Sequence, residues 1–288
     1  MRILALHGHG TSASILGRQL APLTNSVFKD DEILFLEGQH ECDRAPGISK
    51  LLPGPFYGYT KAYSPKAIRE VHDTIEIFIE DHGPFDGILG FSQGASMALS
   101  YLLQRRTDKP NDNLPFKFAI FFSSVAALSA DENYCRMILE SITDEQKLAM
   151  SDFPSSDFQG LGSDARVFCT SLARAIISAR TAGALQAGEE NCFANGGVSH
   201  VPRVMHPLFI HERVNIPTVH VSGRQESPLL LGISALMRSL CDSEVVRQVT
   251  HGNGHDIPTR PADVQATRAA IEWAVELGRG GMAWKAHI

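Results

Sequence analysis

The segment Gly90-Phe91-Ser92-Gln93-Gly94 sets one hydroxyl among residues with little or no side chain at the ends of the run. A G-x-S-x-G run between a buried strand and a helix marks a sharp turn that presents a serine as a nucleophile, and bulky neighbours would collide in so tight a bend. The bare pattern arises by chance often enough that its context carries the weight. Here the apolar run Phe85 to Phe91 precedes it and a helix-like stretch from Ala95 follows. A plain glycine-rich turn with an incidental serine is the bland alternative.

A serine nucleophile needs a base, and His255 lies in the loop His251-Gly252-Asn253-Gly254-His255-Asp256-Ile257-Pro258, after the last strand-like run and before the last helix-like run. A neutral imidazole there takes the hydroxyl proton during attack and returns it to the leaving group. His251 competes, but it stands nearer the strand end. The acid is expected after the strand containing Val219 and Val221, where Gly223-Arg224-Gln225-Glu226 supplies the carboxylate of Glu226. Asp242 and Glu244 are later alternatives, and Asp256 adjoins the base in sequence. An oxyanion needs prepositioned amides. The amide of Gln93, at a helix start, and that of His9, in the turn His7-Gly8-His9-Gly10, are the candidates, with Gly10 as runner-up.

The elements that must position these groups alternate. Arg2 to Leu6 and Ile33 to Leu36 read as short buried strands; Glu37 to Lys61, rich in Gly, Pro, Phe and Tyr, reads as a long irregular connection. Ile68, Val71, Ile75, Phe78 and Ile79 recur at three and four, which predicts a helix over 65–82 with Pro65 in its first turn. Helix over 95–103, strand over 116–122, strand over 218–221, helix near 229–240, strand over 245–249 and helix over about 262–277 follow. Such alternation predicts an α/β fold with a mostly parallel sheet covered by helices on both faces. Residues 125–215 break the rhythm; two helices, near 131–150 and 164–182, and no strand are expected there, as an inserted cap within a single domain spanning 1–288.

Composition narrows the field. The chain has 288 residues, 43% apolar and 20% charged, enough to bury a large core. A net charge of −6 makes nucleic acid an unsuitable partner. No apolar run reaches the ~18 residues of a membrane span, and the N-terminal run is too short for a signal-peptide core, so a cytoplasmic protein without membrane contact is expected. Cys42, Cys135, Cys169, Cys192 and Cys241 are scattered without a C-x-x-C pair and read as reduced thiols. His200, His206 and His211 lack a ligand spacing. No metal is expected, and no cofactor, because the nucleophile is a side chain.

At this point the chain resembles the FSH-type fungal serine hydrolases, a branch of the α/β-hydrolases. The resemblance rests on Leu6-His7-Gly8-His9-Gly10-Thr11-Ser12, Gly90-Phe91-Ser92-Gln93-Gly94, Ile216-Pro217-Thr218-Val219-His220-Val221-Ser222-Gly223 and Gly254-His255-Asp256-Ile257-Pro258, in family order along nearly the whole sequence. It implies Ser92 as nucleophile, Glu226 at the acid position and His255 as base. The family usually has Asp where this sequence has Glu226. Several family members resemble thioesterases of polyketide clusters, which implies release of a polyketide or fatty acyl chain from an acyl carrier protein.

For the substrate, Gly10, Phe56, Tyr57 and Phe158 are expected to touch it, with Phe153, Leu161 and Phe168 of the insertion converging over Ser92 as an apolar cleft. Packing of the insertion onto the sheet is the alternative role for these aromatics. An acidic carrier protein would need a local basic patch, from Arg105, Arg106 and Lys109 or from Arg174 and Arg180. A small-metabolite carboxylesterase, an acyltransferase or cyclase using the same acyl-enzyme, and a hydrolase-like ligand-binding protein are the competing readings.

Overall fold

The computed structural model describes residues 1–185, 191–193 and 197–280. In chain order the elements are β1 (Arg2–Leu6), α1 (Ala13–Thr24), β2 (Glu32–Leu36), β3 (His40–Cys42), β4 (Phe56–Gly58), α2 (Pro65–His82), β5 (Gly87–Phe91) and α3 (Gln93–Asp108). They continue as β6 (Phe118–Phe122), α4 (Arg136–Glu140), α5 (Asp144–Ala149), α6 (Ser163–Thr181), β7 (Thr218–Gly223), α7 (Pro228–Arg238), β8 (Val246–His251) and α8 (Pro261–Arg279).

Six strands form one parallel sheet in the order β2-β1-β5-β6-β7-β8. Its strands are buried on both faces, which is why they read as continuous apolar runs rather than alternating ones. The period of two divides them cleanly. Leu4, Leu6, Ile88, Ala119 and Phe121 face the core under α2 and α3, whereas Ile3, Ala5, Leu89, Ile120 and Phe122 face the core that includes Ile271 and Ala274 of α8. Strand order reverses between β1 and β5, so the loops after these two strands part at the carboxyl edge, where such sheets hold their ligands.

Several expected elements differ in extent. The connection 37–61 is not wholly irregular: β3 and β4 pair antiparallel through three residues each, too short to register as a periodic pattern. Helix α1, capped by Ser12 and carrying Pro22 inside it, was not expected. The helix expected near 131–150 is two short helices, α4 and α5, the second opened by a Thr143–Gln146 capping box. Helix α3 extends from Gln93 to Asp108, buried along most of its length. Between β6 and β7 the chain leaves the sheet and packs α6 over its carboxyl edge, with Phe168, Leu172 and Ile176 in the main core.

All five cysteines are free, and burial pushes the thiols of Cys169 and Cys241 up to about 12. Among the described residues no helix is long and apolar enough to cross a membrane, and no group of histidine, cysteine and acidic side chains is arranged to hold a metal.

Candidate active site

Ser92 stands in the turn from β5 into α3 with φ 53° and ψ −114°, a backbone conformation that side-chain-bearing residues rarely adopt. The sequence makes this turn possible through its small neighbours. A Cβ on Gly90 would lie 2.5 Å from the Ala95 backbone, and one on Gly94 would lie 2.3 Å from the Leu6 carbonyl oxygen. The turn is pinned by the Ser92 amide, which donates to the Phe122 carbonyl at 2.9 Å.

His255 Nε2 lies 2.9 Å from Ser92 Oγ. Its loop is fastened to the end of β7: the Arg224 amide donates to the His251 carbonyl at 2.9 Å and the Gln225 amide to that of Asn253 at 3.1 Å. The Phe91 ring packs 5.3 Å from the imidazole. Behind it, Glu226 Oε1 is 3.7 Å from His255 Nδ1, a contact longer than a hydrogen bond and of the kind that tightens when substrate is bound. The carboxylate beside Nδ1 favours the tautomer with its proton there, leaving Nε2 to accept from the serine.

Glu226 is only 7% exposed. Burial pushes its carboxyl up, but His255, the Ser123 hydroxyl and the Gly223 amide together outweigh that effect and hold it below the usual glutamate value. Ser123 donates to Oε1 at 2.5 Å and Gly223 N–H at 3.3 Å. The alternatives are placed differently. His251 is fully buried and its Nδ1 accepts from the Asn253 amide; Asp256 accepts from the Ile257 amide. Asp242 and Glu244 precede β8, at the opposite edge of the sheet from His255.

The turn after β1 comes close to the serine: a Cβ on Gly8 would lie 3.4 Å from Ser92 Cβ. The amides of His7 and Gly10 are engaged, donating to Tyr59 Oη at 2.8 Å and the Tyr57 carbonyl at 2.9 Å. The His9 amide has no such partner among the described residues, and Gln93 opens α3, where the first amides have no partner within the helix. The side chains of both lean on the site. His9 Nε2 is 3.2 Å from the Gly183 carbonyl just past α6, and because a carbonyl can only accept, Nε2 carries the proton and donates; burial is the main effect lowering the pKa of this imidazole. Gln93 Oε1 accepts from the Tyr59 amide and its Nε2 donates to Tyr63 Oη, which donates in turn to the Ala184 carbonyl.

Ser92 lies where two cavities meet. One, of about 460 Å³, is bordered by Gln93, Tyr63, Met97 and the inner face of α6. The other, of about 600 Å³, is bordered by His255, Arg18, Leu230 and the 45–49 loop. Ser92, His9, Val125, Ser178 and Ala182 border both.

The four residues expected to touch substrate are not among the described residues lining either cavity. Gly10, at φ +64°, spends its amide on Tyr57 and its carbonyl on Ala45. Phe56 is buried in β4 under the Arg44 guanidinium, and Tyr57 is paired with Glu41 across the β3–β4 ladder. Phe158 packs on Phe153, and Phe153, Leu161 and Phe168 are buried inside the insertion rather than over Ser92. Sequence reasoning passed over Ser123, whose role no local pattern signals, and the small residues of α6, whose alanine-rich inner face was a readable sign of open space beneath the helix.

The sequence pattern of the FSH1 serine hydrolase family matches residues 1–267. The chain belongs to the FSH1 serine hydrolases. Within this family it is 39% identical over 284 residues to esterase alnB of Emericella nidulans, covering 98% of this chain and 99% of that one. It is 31% identical over 229 residues to serine hydrolase cnsH of Penicillium expansum, covering 80% and 93% of the two chains. Among solved structures, a monoacylglycerol lipase of Paleococcus ferrophilus superposes with a TM-score of 0.50 at 15% identity, covering 96% of this chain and 94% of that one. That likeness concerns the α/β-hydrolase fold. As an FSH1 serine hydrolase the chain is an enzyme that hydrolyses esters.

Proposed function

We infer that Ser92, His255 and Glu226 form the catalytic triad and that the amides of His9 and Gln93 form the oxyanion hole. The observation that supports this most is the 2.9 Å approach of His255 Nε2 to Ser92 Oγ, with Glu226 behind the imidazole. Ser92 Oγ attacks the acyl carbonyl while its proton passes to Nε2. The negative charge on the carbonyl oxygen falls beside the two amides and the positive end of α3. Collapse breaks the bond to the leaving group, which takes the proton from Nε2 and departs, leaving an acyl-enzyme. Water then attacks, again giving its proton to His255; collapse breaks the bond to Ser92 Oγ, which takes that proton back from Nε2 as the acid departs.

The substrate on this reading is an acyl thioester or ester, and its physiological form is a polyketide or fatty acyl chain carried by an acyl carrier protein. Apolar lining in the cavity under α6 supports an apolar acyl group. A basic patch at the end of α3 finds no support, because Arg105 is paired with Glu76 at 2.5 Å and α3 carries it about 20 Å from Ser92. Exposed Arg18 on the His255 side and Arg180 beside Thr181 stand nearer the openings and suit an acidic carrier.

Intact-protein mass after exposure to a fluorophosphonate tests the nucleophile: the parent chain gains one adduct and Ser92→Ala gains none. A matched set of carrier-bound thioester, free pantetheine thioester and oxygen ester tests the carrier. The highest kcat/KM is expected for the carrier-bound form, and equal values for all three would reduce the reading to a small-metabolite esterase.

A further inference from the structure

Resting on the acyl-enzyme reading above, the two cavities can be told apart by which catalytic group each one touches. The carbon bonded to Ser92 Oγ in the tetrahedral intermediate has three other substituents. One is the oxyanion, directed to the His9 and Gln93 amides. The second is the leaving atom, which must come within hydrogen-bond reach of His255 Nε2 to collect its proton. His255 borders the 600 Å³ cavity and not the 460 Å³ one, whereas Gln93 borders the smaller and not the larger. The third substituent, the acyl chain, is thereby left with the smaller cavity.

We propose that α6 is the acyl-specificity wall of the enzyme: Leu172, Ala175, Ile176 and Ala179 roof the acyl pocket, and the alcohol or thiol half of the substrate lies opposite, against Arg18 and Leu230. These four α6 positions stand at i, i+3, i+4 and i+7 and so share one helix face. Thr181 borders only the leaving-group side, while Ser178 and Ala182 touch both, so this one helix divides the two halves of the substrate. The wall is held in place where it meets the chemistry, because His9 donates to the Gly183 carbonyl and Tyr63 to that of Ala184. Alanine at 175 and 179 leaves space that bulkier side chains would fill, which fits a bulky apolar acyl group. The floor opposite, from Met97, Val125 and Leu128, is equally apolar.

The test is a matrix of esters, acetyl to dodecanoyl in the acyl half and methanol to naphthol in the leaving half, run on Ala179→Phe and Leu230→Trp. For Ala179→Phe the ratio of kcat/KM between long and short acyl groups is expected to fall about tenfold or more, with the ratio between leaving groups moving less than about twofold. Leu230→Trp is expected to do the reverse. Ala175→Leu, a smaller change on the same face, carries the acyl arm if Ala179→Phe does not fold, as judged by thermal unfolding. Acyl and leaving-group ratios moving together, or Ala179→Phe shifting only the leaving-group ratio, would overturn the assignment. Fluorophosphonate labelling of the parent chain separates the two levels: unsplit ratios with Ser92 labelled defeat the wall alone, and unlabelled Ser92 defeats the acyl-enzyme itself.

Discussion

Ser123 donates a 2.5 Å hydrogen bond to the same Glu226 oxygen that faces His255. Ser123 itself sits at φ 46°, and its amide is tied to the Val221 carbonyl at 2.7 Å, so the hydroxyl is aimed by the end of β6. The carboxylate is thus fixed by a residue outside the proposed triad.

Ser123→Ala is expected to lower kcat/KM by about tenfold, the equivalent of roughly 1.4 kcal/mol of lost positioning. Its cost in stability depends on pH. Glu226 has a depressed pKa in the folded state, so its contribution is present above the ordinary value of 4.5 and disappears as pH falls through the folded value. The stability gap between parent and variant should therefore be wider at pH 7 than at pH 3, measured by urea unfolding at both. An equal gap at both would show that the bond to Ser123 does not depend on the carboxylate charge.

Glu226→Gln and Glu226→Asp should part company. The amide keeps the length but loses the charge that selects the Nδ1–H tautomer, and a fall in kcat of about 10³-fold or more is expected. Aspartate keeps the charge but draws it back from both Ser123 and His255, and about tenfold is expected for it. Steady-state kinetics on one ester distinguishes them; aspartate faring worse than glutamine would mean that reach matters more than charge.

Two buried histidines contribute to the acid limb of stability. Burial lowers His72 and His220 from 6.5 to about 3, so both are neutral in the folded chain, while the unfolded chain binds a proton at each below 6.5. The unfolded state thus holds more protons between pH 6.5 and 3, and stability falls as pH drops through that window, by on the order of 4 kcal/mol per residue at its lower end. His72→Phe should lose less stability between pH 7 and pH 4 than the parent chain in urea unfolding, even though it forfeits the contact with Ser100 at 2.8 Å.

Gly94→Ala drives a methyl to 2.3 Å from the Leu6 carbonyl oxygen, and backbone there cannot step aside. The start of α3 must lift away from β1, at about 1–3 kcal/mol. Because Gln93 precedes it, kcat should drop along with the melting temperature. Thermal unfolding paired with kinetics below the transition checks this, and a destabilised variant with unaltered kcat would separate the helix start from the oxyanion.

Much of this was legible because buried parallel strands advertise themselves. Ile88 to Phe91 and Phe118 to Phe122 are apolar without interruption, and the glycines around Ser92 mark where the chain must turn. His255 and Glu226 stood out as candidates by their places after the next strands. What stayed hidden depends on direction rather than type. Phe56 and Phe158 look like pocket residues by composition, yet Phe56 is buried in β4 and half-buried Phe158 packs on Phe153. Ser123 is one serine among many until β6 and β7 lie side by side. Helix α1, with Gly17 and Pro22 in its span, lacks the composition of an obvious helix and holds its shape through Leu16, Leu20 and Leu23 in the core.

The proposed reacting groups hang from β5, β7 and β8 and the turn after β1, whereas α6 reaches them from a length of chain inserted between β6 and β7. On the proposed assignment, bond-breaking apparatus and acyl preference are written in separable parts of the gene. Selection can retailor the acyl group this enzyme accepts by editing one excursion from the sheet, while the hydroxyl, imidazole and carboxylate keep their geometry untouched.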